Sequence, residues 1–335
     1  MVIDRINWID WAKFLAITMV VFGHIPEEEG SFLPNYVCTF HIPFFFFISG
    51  YLTKARLDTK EEIRKWIRSL IIPYLLYNII FYPYWAIRLY MDQGINFSFF
   101  DYVFKPIVGL LFLQIDTAIS SNVNGAMWFI VDLMIMRFMV HLCLHTSKTL
   151  FYIKIIAIIT IGIYIIAIHE KTALPLTIEG LFRCMPLYLL GYLTKQYHLI
   201  EKTSFKNDLI GAISLIGISV GARFIYSDSN NFLYQMTAFY IVLITASYGF
   251  LFSCKLLNGI TSPIIVNISI GTLMIMGLHW MYIGTTNYIL EHLLSMNSGI
   301  TYSWPIAILF ALSIDAAIYP FIILARKHLP ILLGK

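Results

Sequence analysis

The chain has 335 residues, of which 59% are hydrophobic and only 13% charged, with a net charge of +4, and its mean hydropathy is +0.76. The charged fraction is about half that of an ordinary soluble domain, which excludes a water-soluble enzyme, and no polar stretch is long enough to fold as a second, soluble domain. Four scattered cysteines, Cys38, Cys143, Cys184 and Cys254, exclude a disulfide framework or a cysteine metal site, and the modest charge, gathered in a few loops, points away from nucleic acid. The expected class is an all-α, polytopic membrane bundle in one domain, 1–335.

The first apolar stretch, 8–25, carries Asp10, Lys13 and His24. It lacks a basic leader and a small-residue cleavage site, so it is expected to stay as a helix rather than be removed. Eleven residues separate Lys13 from His24; at ~100° and ~1.5 Å per residue they share one face, ~16 Å apart. Asp10 lies on roughly the same stripe. Ionisable residues on one face of a membrane helix point into protein or a wet cavity rather than at lipid. Nine further stretches are long enough to cross ~30 Å of hydrocarbon: 36–53, 66–90, 126–145, 150–168, 179–195, 207–225, 232–254, 264–284 and 303–325. About ten transmembrane helices are therefore expected. A shorter apolar stretch, 99–115, begins beside Asp101 and holds Lys105 and Pro106; it reads as an interfacial or re-entrant segment inside an outer connection, 91–125.

Basic residues alternate between the loops. Lys54, Arg56, Lys60, Arg64, Lys65 and Arg68 follow the second stretch; Lys148 and Lys154, then Lys195, Lys202 and Lys206, then Lys255 follow at even-numbered connections, and Arg326, Lys327 and Lys335 close the chain. Odd-numbered connections hold Glu27 to Glu29 and a single basic residue, Lys171. Lys and Arg collect on the cytoplasmic side, so both termini are expected there.

This topology assigns depths. His24, His41 and His279 fall in one layer near the outer surface. Lys13, Ser49 and Tyr51 fall in a second layer nearer the cytoplasm. Histidine at the edge of an apolar cavity suits proton transfer from a hydroxyl, so the three histidines are the catalytic candidates. Lys13 either holds an anionic group such as a phosphate, as a compact charge, or pairs with Asp10; Asp10, Lys13, Ser49 and Tyr51 are the candidates for binding a cofactor-like donor. Arg183, near an outer helix end, binds an anionic acceptor or reaches to lipid headgroups. Trp128 and Asp132, four apart, share a helix face and complete a substrate-binding set. His141 and His145 are expected at the membrane interface, and Phe44 to Phe47 in packing and lipid contact. With neither HxxxH nor HxH spacing, no metal is expected.

Several motifs in order along the chain carry a resemblance: Lys13-x10-His24, Phe40-His41-Ile42-Pro43-Phe44-Phe45-Phe46-Phe47-Ile48-Ser49-Gly50-Tyr51, Met127-Trp128-Phe129-Ile130, Pro186-Leu-Tyr-Leu-Leu-Gly191-Tyr192 and Leu278-His279-Trp280. Together they resemble the membrane-bound acyltransferase 3 family, in particular its branch similar to fucose 4-O-acetylases and other surface-polysaccharide O-acetyltransferases. The resemblance implies ten helices, acetyl-CoA as cytoplasmic donor, a glycan hydroxyl as acceptor on the far side, a bacterial cytoplasmic membrane as location, and an essential first-helix histidine, here His24. The family's usual basic partner is arginine. Lys13 keeps its charge but not its planar fork. The competing class is a transporter or flippase of glycan intermediates, against which stands the absence of visible internal repeats.

Overall fold

The computed structural model describes residues 6–54, 58–94, 96–113, 116–144, 146–169, 178–227, 232–293 and 299–335. Arg56, His145 and Lys171 lie outside the described residues. Thirteen α-helices make up nearly all of the described chain: α1 (Asn7–His24), α2 (Phe32–Tyr51), α3 (Thr59–Trp66), α4 (Ile72–Gln93), α5 (Lys105–Val108), α6 (Trp128–Leu144), α7 (Lys148–His169), α8 (Ile178–Gln196), α9 (Phe205–Ser227), α10 (Phe232–Leu256), α11 (Pro263–Ile270), α12 (Thr272–Tyr288) and α13 (Trp304–His328). There is no strand among the described residues; one isolated bridge joins Glu27 and Tyr302.

Each of the ten apolar stretches forms helix. Among the described residues, seven helical segments are long and apolar enough to cross a membrane, or eight if Pro263–Ile270 and Thr272–His292 act as one. Helices α1 and α8 are not among them: Asp10 and Lys13 in the first, and Glu179, Arg183 and Lys195 in the second, dilute their apolar character. The ninth stretch, expected as one continuous helix, is broken at Gly271. The stretch 99–115 becomes a short helical run, π-helical over Phe100–Phe104 and Gly109–Leu113 around α5, and is not among the membrane-crossing candidates.

The chain forms two compact units, each assembled from separated segments. One comprises Met1–Thr53, Leu187–Thr272 and Ser295–Pro320. In it α1 and α2 run antiparallel, with Trp8 edge-on to Tyr51 at one end (5.2 Å) and His24 edge-on to His41 at the other (6.4 Å). Helix α1 stops because Pro26 follows; Ile25 is extended, as the residue before a proline prefers. Its first turn has no side-chain cap of its own. The Trp8 N–H instead donates to the Asn258 side chain (3.0 Å), while the Asn7 amide and the Trp11 indole donate to the Ile260 carbonyl (2.6 and 2.9 Å), so a distant loop satisfies groups that a helix start leaves exposed.

Helix α2 is largely buried in its second half. Phe44 to Phe47 are all in the core; Phe40 and Phe44 pack on Phe250, and Phe47 on Tyr248. The expected lipid contact for this run gives way to packing. Gly50 and Gly191 let α2 and the second half of α8 touch backbone to backbone. A Cβ on Gly50 would lie 2.8 Å from the Tyr188 carbonyl carbon and closer still to its oxygen; one on Gly191 would lie 2.8 Å from the Phe47 carbonyl carbon and 3.0 Å from the Tyr51 nitrogen. Small residues permit this approach where helix packing lacks the push of water. Thr53 and Tyr188 hydroxyls bond beside it (2.6 Å). The antiparallel pair α9 and α10 packs in the same manner, Gly211 against Phe252 and Gly249 against Ile216.

The other unit comprises Lys54–Pro186, Leu273–Leu294 and Phe321–Lys335. Its tyrosines are tied to backbone carbonyls: Tyr74 to Leu110 (2.6 Å), Tyr77 to Leu332 (2.8 Å) and Tyr82 to Tyr102 (2.5 Å). The Asn124 amide donates to the Gly277 carbonyl (2.9 Å). A buried hydroxyl or amide needs such a partner away from water. His141, expected at the interface, is buried against Trp66 (5.6 Å) and bonded to Thr59 (3.2 Å).

Candidate functional site

The first unit holds most of the candidate residues. His24 ends α1 and His41 sits midway along α2; the antiparallel pairing brings the two rings together, 6.4 Å apart. Each ring is oriented by its own helix. His24 Nδ1 lies 2.7 Å from the Val20 carbonyl and His41 Nδ1 2.8 Å from the Val37 carbonyl, one turn back in each case. A carbonyl only accepts, so each Nδ1 carries the proton and donates it, leaving Nε2 as the basic nitrogen of the neutral ring. His41 Nε2 is buried with no hydrogen-bond partner among the described residues. His24 is half-buried, a position from which its ring can meet an incoming hydroxyl.

His279, the third candidate, lies in the second unit. It is fully buried, and its Nδ1 faces the Ile275 carbonyl at 3.0 Å, the same one-turn arrangement.

At the other end of α1, Asp10 is buried and accepts a hydrogen bond from Ser269 (2.6 Å). Lys13 is half-buried. The contacts Trp8 to Tyr51 and His24 to His41 set the register of α1 on α2, and by it Lys13 comes level with the second half of α2, where Ser49 lies half-buried. Tyr51 is buried between the Trp8 ring and the Lys195 ammonium, which stands 5.0 Å from its centre. The four donor-side candidates thus belong to the same helix pair as His24 and His41, separated from them along the axis.

The proposed substrate-binding residues Trp128, Asp132 and Arg183 come together in the second unit. Trp128 and the fully buried Asp132 both face Gly180, whose Cβ position is 3.3 Å from the indole and 3.4 Å from the carboxylate. Arg183 pairs with Glu179 one turn away on α8, and Cys184 lies within electrostatic reach of both Arg183 and Asp132.

Glu27, one of three acidic residues in the connection after α1, is not among the candidates its sequence position suggests. Glu28 and Glu29 are exposed, whereas both carboxyl oxygens of Glu27 are covered and have no hydrogen-bond partner among the described residues. Backbone bonds flank Glu27 on both sides: the Tyr302 N–H donates to the Pro26 carbonyl (2.9 Å), and the Glu28 N–H to the Tyr302 carbonyl (3.3 Å). Desolvation pushes the Glu27 carboxyl from its ordinary 4.5 up to about 7. Between these values the folded protein holds a proton that the unfolded chain releases, so this group favours the folded state fully below about pH 4.5 and loses that contribution as the pH rises through about 7. Melting temperatures of the wild type and Glu27→Gln across that window check this. The wild type is expected to lose more stability with rising pH than the variant; equal slopes contradict it. His24, His41 and Cys38 are the titratable neighbours whose contribution both proteins share.

Among the described residues, no three His, Cys, Asp or Glu side chains come together as metal ligands. Comparison with known proteins gives one match: the acyltransferase domain model of the acyltransferase 3 family covers residues 6–321. No curated protein and no solved structure matches the chain.

Proposed function

This chain belongs to the acyltransferase 3 family, a membrane acyltransferase by its domain and its apolar helices, and on that premise we propose that it moves an acetyl group from acetyl-CoA to a hydroxyl of a surface or lipid-linked glycan. The observation that carries this reading is the His24 ring, fixed by the Val20 carbonyl so that Nε2 is the base. His24 Nε2 takes the proton of the acceptor hydroxyl. The oxygen attacks the thioester carbonyl, the carbon–sulfur bond breaks, and the CoA sulfur leaves with the proton returned from the imidazolium. His41, beside it and with no hydrogen-bond partner for its Nε2 among the described residues, is proposed as a second basic group; His279 is a further proposed catalytic histidine.

Lys13 is the proposed anchor for the donor. It lies on the His24 face ~16 Å along α1, a distance comparable to the pantetheine arm of CoA, so a donor held at Lys13 presents its thioester at His24. Asp10, Ser49 and Tyr51 shape that inner end, with Asp10 oriented by Ser269. Trp128, Asp132 and Arg183 form the proposed acceptor-contacting group. In this orientation both termini are cytoplasmic, the bilayer is that of the cell membrane, and ten helices span it, with α1 and α8 crossing inside the protein rather than against lipid; their polar residues fit that position.

Compositional analysis of the surface glycan from cells with and without this chain tests the reading. Loss of an acetyl ester from the glycan is expected on deletion. An unchanged ester content contradicts it.

A further inference from the structure

Glu27 stands in the same corner as the two histidines. Cys38, on α2, lies within electrostatic reach of Glu27, and its sulfur sits 3.6 Å from the Gly23 carbonyl. A Cβ on Gly23 would be 2.9 Å from that sulfur and 3.5 Å from His41 Cε1. Gly23, Cys38 and His41 thus form one patch next to His24, and Glu27 borders it three residues beyond. Two polar groups around this patch, the Glu27 carboxyl and His41 Nε2, are covered and have no hydrogen-bond partner among the described residues. Leaving a carboxyl in that state costs free energy, and ordinary folding offers an inexpensive escape: the side chain of a loop glutamate can turn to water, as the exposed Glu28 and Glu29 do. At Glu27 the carboxyl oxygens are covered instead, and the bonds of Pro26 and Glu28 to Tyr302 fix the chain on either side of it.

We propose that Glu27 binds the acceptor: its carboxyl receives hydrogen bonds from glycan hydroxyls beside the one that His24 deprotonates. A carboxyl offers two oxygens to adjacent hydroxyls, which suits a vicinal pair on a sugar ring and gives the acceptor one orientation at His24. Hydrogen bonds to covered oxygens of this kind discriminate a substrate that supplies hydroxyls from one that lacks them. This inference rests on the acyl-transfer reading above and adds to it the group that selects the acceptor.

The test uses the purified full chain, acetyl-CoA, and the unesterified glycan isolated from cells lacking the chain, with KM measured separately for each substrate. Glu27→Ala is expected to raise the KM for the glycan about tenfold or more while the KM for acetyl-CoA stays within about twofold, since the lost bonds join the Glu27 carboxyl to hydroxyls of one substrate only. Glu27→Gln, which keeps the shape of the side chain, is expected to give a smaller rise of the same kind. Glu28→Ala, at an exposed position, is expected to change neither. An unchanged glycan KM in Glu27→Ala, or equal rises for both substrates, overturns the inference while leaving the acyl-transfer reading intact. A wild-type protein that transfers no acetyl group overturns that reading and this inference with it.

Discussion

His24→Ala is expected to lower the rate of acetyl transfer by roughly a hundredfold to ten-thousandfold, the usual contribution of a positioned general base. The loss should fall on kcat, with the KM for acetyl-CoA little changed, because the donor is held ~16 Å away by the rise of α1 and not by the imidazole. The physical basis is local. A histidine at the last turn of a helix can turn its Nδ1 to the carbonyl one turn back, here Val20, and that single bond fixes both the tautomer and the direction of Nε2. His24→Gln should be nearly as slow as His24→Ala: glutamine can reproduce a hydrogen bond to Val20 but has no basic nitrogen. Transfer rates measured under saturating acetyl-CoA check both. A His24→Gln protein that retained most of the wild-type rate would point to a structural rather than a basic role.

Gly50→Ala and Gly191→Ala are expected to be the most damaging single changes away from the chemistry. Each added methyl meets a main-chain carbonyl on the neighbouring helix, and neither carbonyl can rotate away as a side chain would. Overpacking of a core typically costs about 1–3 kcal/mol, and a backbone obstacle places these two at or above the upper end. Gly217 supplies the contrast. It lies within α9 with nothing near its Cβ position, so Gly217→Ala should stabilise slightly, by up to about 1 kcal/mol from helix propensity alone. Melting curves in detergent should therefore move in opposite directions for the two kinds of glycine. Similar shifts for Gly50→Ala and Gly217→Ala contradict the close approach of α2 and α8.

The helices were legible because each apolar stretch is long and bounded by polar or proline-containing segments; Pro26 ends α1 where the sequence indicates. Crossing the membrane is a different property from being helical. Helices α1 and α8 carry the charged residues that make the site interesting, and the same residues remove them from the set that is apolar enough to span on composition. The break at Gly271 was illegible, since a glycine inside an apolar run is compatible with a continuous helix.

The site was legible in its one-dimensional part. The eleven-residue spacing of Lys13 and His24, and the proximity of His24 to His41, follow from helix periodicity and from a short turn between α1 and α2. Trp128 and Asp132, four apart, share a face toward Gly180 as expected. Two things were hidden. Gly50 and Gly191 belong to the motifs that carried the resemblance, yet their role is a backbone contact between distant segments, which spacing along one helix does not reveal. Glu27 was hidden in a run of three identical residues. What distinguishes it is the isolated bridge to Tyr302, some 275 residues later in the chain, and no local pattern reports such a pairing.

The most direct measurement of the central claim follows the acetyl group itself. Purified wild-type protein and His24→Ala are placed in lipid vesicles with acetyl-CoA labelled in the acetyl group and with the unesterified glycan, and both free CoA and ester-bound label are counted. The wild type is predicted to release one CoA for each acetyl ester formed on the glycan, and His24→Ala to form almost none. Label reaching the glycan at the wild-type rate in His24→Ala, or glycan crossing the vesicle membrane with no CoA released, contradicts the account.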